Sequence, residues 1–246
     1  IRTQVFAEYI GNTTKKTIRI MFEGIYQGTR DTLLPLLDEK FPELGVRREI
    51  CEEIRSIQST VVFWGLPSST PIEILTNRSA IAKLNNKSKS DYVRTPIPIR
   101  GLRKIWRKLM QNDGSALLMI NPFGGRMADY SESAIPYPHR AGVLLQILKT
   151  VNFNGQTSDT TPTSLKRIMW LRSLDELLTP YVSKNPREAY SNYNDLDLGV
   201  GSSNYEEASL WGERYWKRDN FQKLIRIKAK VDPDNFFRRP QSIPVF

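Results

Sequence analysis

The chain has 246 residues, 36 Lys and Arg against 26 Asp and Glu, a net charge of +10 and 39% hydrophobic residues. That usage is globular and excludes a disordered or fibrous chain. One cysteine, Cys51, and one histidine, His139, exclude an internal disulfide, a multi-thiolate zinc site and a multi-histidine metal centre, so no metal is expected and catalysis would rest on Tyr, Asp, Glu, Lys or a bound cofactor.

Ile18, Ile20 and Phe22 alternate with Arg19 and Met21, the pattern of a half-buried strand. Thr32 to Lys40 reads as a helix, with Pro35 tolerable only near its first turn. Arg47 to Gln58 reads as a second helix, with Ile50, Cys51, Ile54 and Ile57 on one stripe and Cys51 a small core residue. Ser59 to Gly65 reads as a buried strand, and Pro67 to Ser90 as polar and loop-rich, with room for a short helix. Leu102 to Met110 is an amphipathic helix whose Arg103, Lys104, Arg107 and Lys108 form a solvated face. Ser115 to Ile120 and Gly142 to Thr150 read as strands. Leu165 to Leu178 is a helix with Leu165, Ile168, Met169, Leu171 and Leu174 on its apolar side. Ser203 and Glu206 have capping-box spacing and open a helix toward Arg218, and a further helix runs from about Asn220 to Val231. This order predicts a mixed fold with an antiparallel sheet.

No apolar run approaches the ~18 residues of a membrane span, so no membrane partner is expected. The basic residues are spread among acids rather than gathered with stacking aromatics, which argues against nucleic acid. The chain starts at Ile1 without a leader pattern, as expected of a fragment or a processed chain. Sequons at Asn12, Asn77 and Asn86, all read as lying in polar loops, point toward a secretory route.

There is no P-loop, Rossmann glycine fingerprint or nucleophile elbow. Polar and aromatic residues crowd the stretch from Ala189 to Gly199. Extended geometry there would place Tyr193, Asp195 and Asp197 on one face and Asn192 and Asn194 on the other. A phenol with a reference pKa of ~10 needs help from its neighbours to act as a base. Gln146, inside the apolar run Ala141 to Leu148, needs partners for its amide or a cavity to point into. His139, between prolines and a strand start, reads as structural.

Seven segments occur in order: Phe41-Pro-Glu-Leu-Gly45, Ser90-Asp-Tyr-Val93, Glu132-Ser-Ala-Ile-Pro136, Pro138-His-Arg-Ala-Gly142, Asn192-Tyr-Asn-Asp-Leu-Asp-Leu-Gly199, Val231-Asp-Pro-Asp-Asn-Phe-Phe237 and Gln241-Ser-Ile-Pro244. Together they resemble the C-terminal half of plant berberine bridge enzyme-like FAD-linked oxidases, a group that includes cannabinoid acid synthases and reticuline oxidase. The resemblance implies an α+β fold of the vanillyl-alcohol-oxidase type. Residues 1–184 would form an antiparallel-sheet substrate domain with helices, and residues 185–246 a return segment completing the FAD domain.

It also implies a reaction: a two-electron oxidation of an alcohol, phenolic or carbohydrate substrate, with hydride passing to FAD and oxygen as acceptor giving hydrogen peroxide. Tyr193 matches the family's catalytic base. Tyr190 and Asn192 match residues near the flavin ring. Gln4, Lys83, Asn121, Gln146 and Leu148 match substrate-side positions, Gln146 standing where relatives carry Glu or Lys. A neutral Gln146 offers only a hydrogen bond, so a cation from elsewhere is expected to support a tyrosinate. The missing N-terminal half would be the partner that holds most of the FAD site and its covalent linkers, and activity would require it. The resemblance further implies a secreted, apoplastic or vacuolar, glycoprotein. A catalytically silent glycoprotein of the same fold is the alternative expectation.

Overall fold

Five strands of the computed structural model hydrogen-bond in the order β2-β1-β4-β5-β3: β1 (Arg2–Tyr9), β2 (Lys16–Glu23), β3 (Asn86–Val93), β4 (Ala116–Pro122) and β5 (Leu145–Asn152). The structure describes residues 1–79, 85–153, 160–201 and 204–246. The chain divides into two units, Glu23–Lys83 and Ile1–Phe22 with Leu84–Phe246. Pairings β1 with β4, β4 with β5 and β5 with β3 are all antiparallel, as the sequence predicts.

Residues directly opposite in an antiparallel pair share a face, so the register sorts the side chains. Val5, Leu118, Ile147 and Val151 lie on one face and form the core. Two helices cover them, α3 (Ile99–Met110) and α4 (Pro162–Leu178). Helix α3 turns Gly101, Ile105 and Leu109 inward at i, i+4 spacing and its basic residues outward. Helix α4 starts with Pro162 in its first turn and with the Thr161 hydroxyl accepting from Ser164 N–H at 3.2 Å. Its Leu165 and Met169, expected inside, are exposed; Arg167 is buried instead, bonded to Asp113 and the Asn152 carbonyl at 2.8 Å each. An Arg stem covers apolar surface while its head finds partners.

The last helix, α5 (Tyr205–Val231), breaks at Lys217, which adopts φ 57° and ψ 165°. Two helices therefore meet there, as the sequence predicts. The cap is Asn204, whose side chain accepts from Glu207 N–H at 2.9 Å; Ser203 lies outside the described residues. Trp211, Tyr215 and Phe221 pack with Ala189 and Ala208 into a second apolar cluster.

The unit Glu23–Lys83 departs most from the sequence reading. Helix α1 (Arg30–Lys40) begins two residues before Thr32, so Pro35 stands beyond its first turn. Arg47 to Gln58 is not one helix: Arg48–Ile50 is a 3-10 turn, an extended run follows, and Cys51 is only half-buried. Ser59 to Gly65 is not a strand but falls largely in α2 (Ser56–Phe63). A strand needs a neighbour for its N–H and C=O groups, whereas a helix supplies its own partners, and this overrides the β preference of Thr60, Val61 and Val62. The polar loop expected up to Ser90 is strand β3 from Asn86 onward, so the Asn86 sequon begins a strand.

Candidate active site

The face of the sheet opposite the α3–α4 core carries, in neighbouring rows, the positions that the family resemblance sets on the substrate side. Gln4 lies opposite Met119, Met119 opposite Leu148, and Leu148 opposite Ser90. In the next row Asn121 lies opposite Gln146, and Gln146 opposite Tyr92. Gln4, Asn121, Gln146 and Leu148 are thus brought together, while Lys83 lies outside the described residues.

Gln146 is buried with both ends of its amide engaged. Its Oε1 accepts from Asn121 Nδ2 at 2.9 Å, and its Nε2 donates to the Tyr92 hydroxyl at 3.4 Å. Tyr92 and Tyr137 hydroxyls lie 3.1 Å apart. Burial, with Tyr137 beside it, pushes the Tyr92 phenol far up; burial also pushes Tyr137 up to about 12, against the hydrogen bond from Tyr92. Both phenols remain protonated donors across the neutral range.

Tyr190 and Tyr193 reach the same face through a chain segment that covers the β3 edge. Ser183 N–H donates to the Tyr92 carbonyl at 2.8 Å, and Tyr190 N–H to Ser90 Oγ at 2.8 Å. The Arg187 guanidinium grips the Asp91 carboxylate through two bonds of 2.6 and 2.8 Å. The Tyr137 ring meets Tyr190 edge-on at 5.7 Å, and Tyr190 meets Tyr193 edge-on at 5.2 Å. Asn192 Nδ2 donates to the Tyr190 hydroxyl at 2.8 Å.

The stretch is not extended, so Asp195 and Asp197 do not share a face with Tyr193. Tyr193 closes a turn onto the Tyr190 carbonyl, and Leu196–Leu198 is a 3-10 helix. Asp195 instead binds Lys87 at 2.9 Å and Lys89 at 2.5 Å; Asp197 binds Lys89 at 3.0 Å and Arg172 at 2.7 Å. The Arg172 bonds hold Asp197 well below the carboxylate range despite partial burial, with Lys89 and Lys87 adding to them. Asp195 N–H donates to the Tyr215 hydroxyl at 3.0 Å, and Gln241 Nε2 donates to the Asp195 carbonyl at 2.8 Å. The two acids are anchors for the turn that carries Tyr193.

Tyr193 itself is half-buried. Burial first, and then the adjoining Tyr190, raise its pKa, while the charge of Arg2 opposes the rise. His139 is fully buried, stacked on Tyr92 at 3.9 Å with Nε2 3.1 Å from the Tyr215 carbonyl, as a structural residue should be. Sequence reasoning missed Tyr92 and Tyr137 as site residues. The signal for Tyr92 was its position opposite Gln146, which needs the register of a strand too polar to recognise.

A separate open cavity of about 550 Å³ is lined by Arg94, Glu132, Glu188, Lys217 and Asn220 among others. In its wall Arg94 pairs with Glu188 at 2.8 Å and Lys217 with Glu132 at 2.6 Å.

Tyr190, Asn192 and Tyr193, the positions that the family resemblance sets near a flavin and at the base, are brought together by these contacts. The Asn192 side chain is exposed, and the Tyr190 and Tyr193 rings are half-exposed and mutually perpendicular. A family profile described as berberine and berberine like matches residues 189–244, the same stretch. Berberine bridge enzyme-like 25 of Arabidopsis thaliana is 43% identical over 248 residues, covering 98% of this chain and 45% of the relative.

Over nearly its whole length the chain is similar to about half of a berberine bridge enzyme-like protein.

Another relative, monolignol oxidoreductase AtBBE-like 13 of Arabidopsis thaliana, is 42% identical over 94% of this chain and 42% of its own length. The solved structure of BBE-like 28 from Arabidopsis thaliana superposes with a TM-score of 0.86 at 38% identity, covering 100% of this chain and 50% of that one. The fold is therefore the vanillyl-alcohol-oxidase-type α+β fold of this family. The chain spans about half the length of the relatives it matches.

Proposed function

We propose that the whole protein is an FAD-dependent oxidoreductase in which Tyr193 is the general base. Its substrate is a small molecule bearing a hydroxyl, held over the sheet face by Gln4, Asn121, Gln146 and Leu148. The observation that carries this reading is that the Tyr190–Tyr193 turn is bonded to Ser90 on the same sheet face that carries the Asn121–Gln146 pair. Bound FAD would accept the two electrons of the oxidation as a hydride from the carbon that bears the hydroxyl. Tyr193 takes the proton of the substrate hydroxyl, while Asn121 and Gln146 orient that hydroxyl by hydrogen bonds. Tyr190 and Asn192 line the flavin side. Residues 185–246 complete the FAD domain, the N-terminal half holds its covalent linkage, and oxygen takes the electrons to give hydrogen peroxide.

The name of the monolignol oxidoreductase supports an alcohol as substrate. Exposed Asn12, Asn77 and Asn86 support N-glycosylation and a secretory destination, apoplastic or vacuolar. The test is anaerobic mixing of the full-length yellow protein with a panel of allylic, benzylic and sugar alcohols. Bleaching of the flavin band by one of them, followed by peroxide on admitting air, is the expected result. A full-length protein without a flavin band, or one bleached by no member of the panel, would favour the silent glycoprotein.

A further inference from the structure

We propose that Arg140 is a specificity residue that receives a carboxylate of the substrate, so that the molecule oxidised here is an acid as well as an alcohol. The inference rests on the reading of the sheet face as a substrate site.

Arg140 lies in the connection between β4 and β5. Its guanidinium carbon stands over the Tyr137 ring, 5.2 Å from the centre, and over the Tyr130 ring at 5.8 Å. Tyr137 links it to the site. The Tyr137 hydroxyl lies 3.1 Å from that of Tyr92, which accepts from Gln146, and its ring meets Tyr190 edge-on at 5.7 Å. A molecule laid against Gln146 and Tyr190 therefore has the guanidinium one ring away.

The charge of Arg140 is unspent. Arg94, Arg167 and Arg187 each meet an acid, Glu188, Asp113 and Asp91 in turn, at 2.6 to 2.8 Å. The two acids of the Arg140 connection, Asp129 and Glu132, face Arg126 at 3.6 Å and Lys217 at 2.6 Å. Among the described residues Arg140 makes no hydrogen bond and no ion pair, and its buried Nε has no acceptor. A guanidinium carries five N–H donors in one plane, and a ring beneath it steadies that plane while leaving the edge open. What fits such an edge is an oxyanion bound by two parallel bonds. A carboxylate, planar and singly charged, matches both the fork and its one charge. Partial burial strengthens the pair, because water competes less there. The hydroxyl to be oxidised and the carboxylate then stand at opposite ends of the substrate, with Tyr137 between them.

The experiment uses the full-length holoprotein and its variants Arg140→Gln and Arg140→Lys. The probes are para-toluate, para-methylcinnamate and hexanoate, each beside its neutral amide. None has a hydroxyl to oxidise, so calorimetry reads binding alone. The wild type should bind the best acid about tenfold or more tightly than its amide. Arg140→Gln should erase that preference and leave amide binding unchanged, and Arg140→Lys, a point charge without the fork, should restore part of it. In the wild type, the bound acid should also protect Arg140 from phenylglyoxal, mapped by mass spectrometry, a reading that needs no variant to fold. Equal affinity for acid and amide in the wild type, a preference that survives Arg140→Gln, or modification of Arg140 undiminished by saturating acid overturns the proposal. Flavin reduction by the matching hydroxy acids is measured apart: an Arg140-dependent preference without any reduction would keep the carboxylate site and sink the oxidoreductase reading alone.

Discussion

At the scale of single residues, Glu188 shows how a buried charge is kept. Its side chain is 3% exposed, and burial alone would raise its pKa; the His139 ring 3.5 Å away and the two hydrogen bonds from Arg94 win and bring it down to about 2. A depressed carboxylate stabilises the fold fully above its unfolded pKa, here 4.5, and that contribution is lost as pH falls toward 2. The shift corresponds to about 3 kcal/mol. Urea unfolding from pH 7 to 2.5 should therefore show a steep acid limb that flattens in Glu188→Gln, with lower stability at neutral pH. A limb of equal steepness in the variant would assign the acid lability to other groups. At this scale the sequence was legible where a residue's chemistry was odd for its place. A Gln in an apolar run announced Gln146, and a lone His between prolines and a strand start announced a structural His139.

At the scale of elements, amphipathic helices were the most legible. The spacing of Leu102, Ile105 and Leu109 marks α3 without help from the rest of the chain. Strand β3 was not legible, because Lys87, Ser88, Lys89, Ser90 and Asp91 carry no apolar alternation. Each of these side chains is satisfied by a specific partner: Ser88 by Thr150, Ser90 by the Tyr190 N–H, Lys87 and Lys89 by the acids after Tyr193, and Asp91 by Arg187 and Lys149. Buried polar groups are tolerated when bonded in this way, and a sequence does not display the partner. Helix α5 depends on a close approach instead. Gly212 faces the Phe221 ring so tightly that an added Cβ would fall inside it. Ala is the better helix former by about 1 kcal/mol, but overpacking costs about 1–3 kcal/mol, so the clash wins. Gly212→Ala should lower the thermal midpoint, and partner Phe221→Leu should restore part of the loss. A midpoint at or above wild type in Gly212→Ala alone would show that the two halves of α5 can part freely.

At the scale of the whole molecule, the chain carries the proposed substrate face and flavin-side residues, and it spans about half the length of its relatives. Expressed alone with FAD present and then desalted, residues 1–246 should retain no stoichiometric flavin band; a retained band would mean that this half holds the cofactor unaided. The central claim is that Tyr193 takes the substrate proton. Tyr193→Phe removes one hydroxyl and keeps the ring that packs on Tyr190, so fold and flavin content should persist. The measurement is stopped-flow flavin reduction of the full-length holoprotein by an accepted alcohol without oxygen. Loss of the positioned base should slow that step by roughly 10²–10⁴-fold, about 3–5 kcal/mol in the barrier, with a smaller change in substrate affinity. Reduction in Tyr193→Phe within a few-fold of wild type would contradict the account and leave the family likeness as one of fold alone.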